Sequence, residues 1–190
     1  MKLRKFFYGL LTVFGIRKLG YFIPYRYAGQ VNGKNSTNPW LLEWFSELSN
    51  SVFLETLKSV QPYTADLKRI AYKNNKFEDP RWGQEWFPGL DAVIAYGLVR
   101  VVKPATIIEV GSGHSTRFLV RAINDEKIKS NVVCIDPQPR AALHGLDINF
   151  IRLPIQQLDL KGLPALQKGD ILFIDSSHIC VPGSDVDLIV

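Results

Sequence analysis

Ile107-Ile108-Glu109-Val110-Gly111-Ser112-Gly113-His114-Ser115-Thr116 decides the fold of this chain. Apolar β-formers lead into an acid, then two glycines one residue apart, then polar residues that start helices. That order predicts a strand, a tight turn and a helix N-terminus. Gly111 and Gly113 lack Cβ, so bare backbone can bend there and lie against a nucleoside. The acid before the first glycine narrows the ligand. A carboxylate at that point repels a pyrophosphate but suits a group carrying ammonium or sulfonium charge.

Outward from this stretch the chain alternates. Thr106–Val110, Asn131–Ile135, Ile148–Arg152 and Ile171–Ile174 are predicted strands. Helices are expected over Ser115–Asn124, near Arg140–His144 and around Leu163–Gln167, with Ser184 capping another that starts at Asp185. Strands separated by helices imply a parallel sheet with right-handed crossovers. The expected fold class is therefore α/β, a Rossmann-like doubly wound sheet of about four strands, incomplete beside the usual number. Because Asp185–Val190 is still apolar at helical spacing where the sequence stops, a truncated chain is expected.

Upstream lies a helical extension. Trp40–Val60, Tyr63–Tyr72 and Leu90–Val102 are predicted helices, the last ended by Lys103-Pro104. Residues 73–89, with two prolines, are expected to form a loop. Residues 29–39 (GQVNGKNSTNP) are expected to form a linker or exposed loop. The expected organisation is a basic, aromatic segment over 1–39, a helical extension over 40–89 and the sheet domain over 90–190.

Charge is unevenly spread along the 190 residues. Residues 1–42 carry seven basic side chains and no acid, leaving 16 basic and 18 acidic residues for the remainder. The net +5 therefore belongs to the leading segment, and the globular part gives no reason to expect specific nucleic-acid binding. Within residues 1–28 the longest uncharged apolar run is far short of the ~20 residues of a membrane-spanning helix. Phe6, Phe7, Leu10, Leu11 and Phe14 share one side of a helix with basic flanks. Such a helix lies in a membrane interface or packs on protein. Cys134 and Cys180 are expected to be reduced, mostly buried thiols in a cytoplasmic protein.

Three motifs stand in order: IEVGSGHSTRF at Ile108–Phe118, IDPQPR at Ile135–Arg140 and DILFIDSSH at Asp170–His178. Together they resemble a bacterial group of class I S-adenosylmethionine-dependent methyltransferases, over about Trp86 to Val190. The resemblance implies S-adenosyl-L-methionine as cofactor, held by Glu109, Gly111, Ser112, Gly113, His114, Ser115, Asp136, Pro137, Gln156, Asp175 and Ser176. Glu109 would support the turn and face the amino-acid end of the cofactor; alternatively it is a solvated acid at a strand end. Asp136 would accept both ribose hydroxyls; alternatively it initiates an Asp-Pro turn. His178 is a candidate general base with Asp175 beside it; alternatively it only hydrogen-bonds its loop. No metal site is expected, since the Asp-Asn pair that metal-dependent relatives carry on the following strand has no counterpart here.

The implied reaction is methyl transfer to an acceptor, with O-methylation of a small molecule or glycan as the expectation. Residues 1–28 are a candidate contact with the inner face of a membrane. Two other readings compete. One is a non-catalytic binding or membrane-tethered module that keeps the cofactor fold. The other is an NAD-dependent oxidoreductase, disfavoured because Thr116 stands at the third glycine position of G-x-G-x-x-G.

Overall fold

The structure is a computed structural model that describes residues 2–20, 51–73, 76, 78–178 and 183–189. The expected linker 29–39, the first half of the helix expected from Trp40, and Cys180 lie outside the described residues. The chain divides into two compact units, Met1–Glu47 and Leu48–Val190.

In the first unit, α1 spans Lys2–Val13. Phe6, Phe7 and Leu10 are exposed on it, Leu11 is half-buried, and Phe14 follows it, also exposed. No described helix is long and apolar enough to cross a membrane.

The second unit opens with α2 (residues 51–60), a 310 turn at Gln61–Tyr63 and α3 (Thr64–Leu67). The helix expected over Tyr63–Tyr72 is thus much shorter. Turn bonds continue to the Ile70 N–H, after which the carbonyls of Ala71 and Tyr72 accept from the N–H groups of Trp82 and Gly83. Next come α4 (Gly89–Val102), β1 (Thr106–Val110), α5 (His114–Glu126), β2 (Asn131–Ile135), β3 (Asn149–Ile151), β4 (Ile171–Ile174) and α6 (Asp185–Ile189). Lys103 ends α4 in the left-handed region, at φ 53°, directly before Pro104.

All three strand pairings are parallel, in the order β3-β2-β1-β4. This is the expected α/β architecture. Both faces of the central strands are covered, as parallel sheets require. Ile107, Val132 and Cys134 pack with Ala92, Tyr96 and Val99 of α4 and Phe118, Leu119 and Ala122 of α5. Leu67, Ile70 and Phe87 belong to the same core, with Trp82 packed against it, so these residues fold with the sheet. On the other face, Ile108, Val110, Val133 and Ile135 pack with Ile155 and, in part, Leu158, Leu163 and Ile189.

A buried ionic cluster fastens the helical layer. Arg100 donates to Asp66 at 2.5 Å, to Glu126 at 3.0 Å and to the Tyr96 hydroxyl at 2.8 Å, and stacks on Tyr63. A buried guanidinium is tolerated because each desolvated charge meets an opposite one.

Two expected helices are absent. Residues 140–144 are irregular, because the Ala142 carbonyl accepts from the Arg117 guanidinium rather than from a helical N–H. Residues 163–167 are likewise irregular, after 310 turns at Ile155–Gln157 and Leu160–Gly162. Five residues rarely hold a helix without a packed face.

Candidate functional site

Parallel register brings four strand ends together. Val110 pairs with Ile135 and Ile174, and Ile135 with Ile151. The residues that follow, Gly111, Asp136, Arg152 and Asp175, therefore leave the sheet at one end. The chain runs from β1 outward through β2 to β3, then returns to place β4 on the opposite side of β1. The gap between β1 and β4 is thus a topological switch point, where open α/β sheets form their ligand crevice.

The glycine turn is built from both sides. The Gly111 N–H donates to the Ile135 carbonyl, and the Asp175 N–H to the Val110 carbonyl. Gly111 adopts φ +86°, and a Cβ there would lie 2.1 Å from the Asp175 carbonyl oxygen. The bare backbone expected to approach a ligand is therefore pressed against the β4 exit. Gly113 is roomier: a Cβ there would come no closer than 3.7 Å to Arg140 and Ala141. Gly113 is also the N-cap of α5, which starts at His114, one residue earlier than expected.

Glu109 is wholly buried, which excludes the solvated-acid alternative. Its carboxyl accepts the Ser115 hydroxyl at 2.7 Å and the Thr116 hydroxyl at 2.6 Å, and Cys134 Sγ lies 3.3 Å away. Thr116 in turn accepts the Gly113 N–H at 2.9 Å. Glu109 thus supports the turn from beneath, with both oxygens pointing into α5. Burial pushes its pKa up to about 7, against the opposing pull of its hydroxyl donors. Near neutrality it therefore presents less negative charge to the turn than its place in the sequence implies.

Asp136 is half-buried. One carboxylate oxygen accepts the Ser112 N–H at 2.6 Å, and the other accepts the Gln138 N–H at 2.6 Å. The second bond is the local turn that Asp-Pro favours, closed over exposed Pro137. The first reaches across to the glycine turn. A carboxylate has about four acceptor positions, so capacity remains for two hydroxyls.

On the other side of the switch point, Asp175 Oδ1 lies 3.4 Å from His178 Nε2. Burial raises the Asp175 pKa, opposed by the charges of His178 and Arg140. The His178 side chain is 71% exposed, and its backbone is left-handed at φ 59°. Such a conformation is uncommon outside glycine and clusters at functional sites. Ser177 bonds Asp185 through both its N–H and its hydroxyl, tying the β4 exit to α6.

Three polar atoms around the turn are buried without a close hydrogen-bond partner among the described residues: Ser112 Oγ, His114 Nδ1 and Ser176 Oγ. Buried polar atoms are ordinarily bonded, so this group suits a polar ligand or water. Burial, with the Arg117 and Arg81 charges, drives the His114 pKa down to about 4, and the imidazole is neutral. Gln156 stands apart, exposed on its 310 turn with no hydrogen bond to the glycine turn. Among the described residues no cluster of three potential metal ligands occurs.

Sequence reasoning missed one feature. A cavity of about 640 Å3 lies beneath the loop from Gln138 to Leu146, reaching Phe150 and Arg152 of the β3 region. Its only sequence signal was a pair of arginines placed soon after two strand ends.

Compared with models of known protein families, with curated proteins and with solved structures, the chain finds no match.

Proposed function

We propose that this chain binds S-adenosyl-L-methionine at the glycine turn and transfers its methyl group to an acceptor hydroxyl of a small molecule or glycan. What supports this reading above all is one convergence: the glycine turn, the Asp136 carboxylate and the Asp175–His178 pair leave the sheet at one end, about its switch point. The three motifs recognised in the sequence are the residues that build that convergence. The buried polar atoms at Ser112, His114 and Ser176 fit a ligand rich in hydroxyl and amino groups.

The cofactor, when bound, supplies an activated sulfonium methyl. The chain's own task is then chiefly alignment, which can account for about 7–11 kcal/mol of a barrier. Asp136 accepts the two ribose hydroxyls while keeping its hold on Ser112. Ser112 and Gly113 lay backbone along the adenosine. Glu109 keeps the start of α5 in place from below. Asp175 orients His178, which takes the proton from the acceptor hydroxyl as it attacks. General-base assistance of this kind typically contributes 10²–10⁴-fold.

We also infer that α1 rests on an anionic membrane surface. Its exposed Phe6, Phe7 and Leu10, with Phe14 beyond, supply the apolar side, and Lys2, Arg4, Lys5, Arg17 and Lys18 the charge. That combination describes an interfacial helix, which buries its apolar face among lipid headgroups.

Equilibrium dialysis against S-adenosylmethionine tritiated at the methyl group tests the main reading. One equivalent should be retained per chain, with excess NADH failing to displace it. In the presence of a hydroxylated acceptor pool, His178→Ala should keep the retained label and lower release of S-adenosylhomocysteine at least tenfold. A chain that retains no label, or loses it to NADH, overturns the reading.

A further inference from the structure

We propose that the cavity beside the glycine turn is a binding site for a phosphomonoester group carried on an apolar body. The proposal goes beyond methyl transfer and does not depend on it.

The cavity has a local cause. The link from β2 to β3 holds no helix among residues 136–148, where a right-handed crossover would ordinarily lay one over the sheet. An irregular loop takes its place and leaves about 640 Å3 above the sheet edge. That volume falls in the range of metabolite pockets. Leu143, Ile148 and Phe150 give it an apolar lining, while Gln138, Arg140 and Arg152 bring polar groups to it.

The charge of the cavity lining is one-sided, although the Glu78 carboxylate stands beside Gly145 and Asp175 feels the Arg140 charge from outside the lining. No lining residue is an aspartate or glutamate. No carboxylate among the described residues lies within ion-pair distance of Arg140 or Arg152, a lack they share with Arg4, Arg17, Arg81 and Arg117, whereas Arg69, Arg100 and Arg121 each have one. The two cavity arginines are held by rings instead. The Arg140 guanidinium lies 4.1 Å from the Trp86 ring centroid, and that of Arg152 lies 5.3 Å from the Phe150 ring centroid. Stacking on Trp86 orients the Arg140 guanidinium, the looser contact with Phe150 leaves Arg152 freer to turn, and both N–H forks stay open to an anion. General basicity does not explain the pair, because the chain beyond residue 42 has more acidic than basic residues.

Two open forks select among anions. A carboxylate presents two oxygens, which one fork can satisfy. A phosphomonoester presents three terminal oxygens and up to two negative charges, enough for both. The apolar lining then receives the rest of the molecule. The cavity wall also borders the nucleoside site, since Gly113 faces the backbone of Arg140 and Ala141.

Calorimetric titration of the full chain in a phosphate-free, low-salt buffer tests the proposal, with inorganic phosphate and phenyl phosphate as probes. One equivalent of each should bind, phenyl phosphate at least tenfold more tightly because its ring meets Leu143 and Phe150. Arg140→Gln and Arg152→Gln should each weaken phenyl phosphate at least tenfold, and Arg152→Lys should weaken it less. Lys161→Gln, remote from the cavity, should change nothing. Sinefungin affinity and the urea midpoint should persist in Arg152→Gln, which separates loss of this site from loss of the fold or of the cofactor site. Competition between phenyl phosphate and phosphatidic-acid vesicles would assign the phosphoryl group to a lipid headgroup; vesicles without effect would assign it to a soluble ester. No saturable phosphate binding by the native chain, or binding unaltered in both glutamine variants, overturns the proposal.

Discussion

The Ser112 N–H donates to the Asp136 carboxylate at 2.6 Å, so the turn after β1 is fastened to the end of β2 by one charged hydrogen bond. A bond of that kind contributes about 1.5–3 kcal/mol. Asp136→Ala removes it together with the bond from Gln138. We expect the variant to lose about 2 kcal/mol in urea unfolding and to bind S-adenosylhomocysteine at least tenfold more weakly. Unchanged stability would contradict the tie, and unchanged affinity would remove the ribose role.

Gly111 offers a sharper test of how the turn is built. Its φ of +86° and the 2.1 Å approach of a built Cβ to the Asp175 carbonyl oxygen both exclude a side chain. The obstacle is backbone and cannot rotate away. Gly111→Ala should cost about 3 kcal/mol or more, seen as a large fall in Tm or loss of folded protein. A variant within about 1 kcal/mol of the native chain would show that β4 does not press on this turn.

Glu109 and His114 give stability opposite dependences on pH. Glu109 holds its proton up to about pH 7 in the folded chain, against an ordinary value of 4.5. Between those values the unfolded chain has released a proton that the native chain keeps. Stability therefore falls as pH rises through that window, by about 3 kcal/mol at most. His114 titrates at about 4 when folded, against an ordinary 6.5. Between those values the unfolded chain holds a proton that the native chain lacks, so this contribution rises with pH. The two partly cancel. Glu109→Gln should leave a stability that climbs from pH 4 to 6.5, and His114→Asn one that declines from pH 4.5 to 7, read as urea midpoints. Profiles of the same shape in both variants would contradict these assignments.

For α1, the native chain should cosediment with phosphatidylglycerol vesicles at low salt and release at high salt, because charge attraction is screened. Phe6→Ser combined with Phe7→Ser should lower the bound fraction several-fold without altering the unfolding of the sheet domain. Equal binding by that double variant would remove the membrane from the account.

The parts of the fold that proved legible share a physical cause. β1, β2 and β4 were placed to the residue: β1 and β2, buried on both faces, must be continuous apolar runs, and β4, alternately half-buried and exposed, is apolar at all four positions. IIEV, NVVCI and ILFI have few other uses. Gly89–Val102 was visible for the complementary reason, a long apolar stretch ended by Lys103-Pro104. The segments 140–144 and 163–167 misled because helix propensity over five residues is weak. One guanidinium bond from Arg117 to the Ala142 carbonyl suffices to override it. At the site, the roles of Asp136 and Glu109 were half legible. Sequence marks a carboxylate at a strand end. It does not reveal that Ser115 and Thr116 would turn Glu109 inward. The cavity was invisible because it follows from a helix that fails to form.

A crystal structure with sinefungin bound tests the central claim most directly. The account predicts density along Ser112 and Gly113, with both ribose hydroxyls within hydrogen-bond distance of the Asp136 carboxylate and the amino-acid end toward Asp175. Crystals that leave this crevice empty at saturating sinefungin, or that place the inhibitor's ribose away from Asp136, would contradict it.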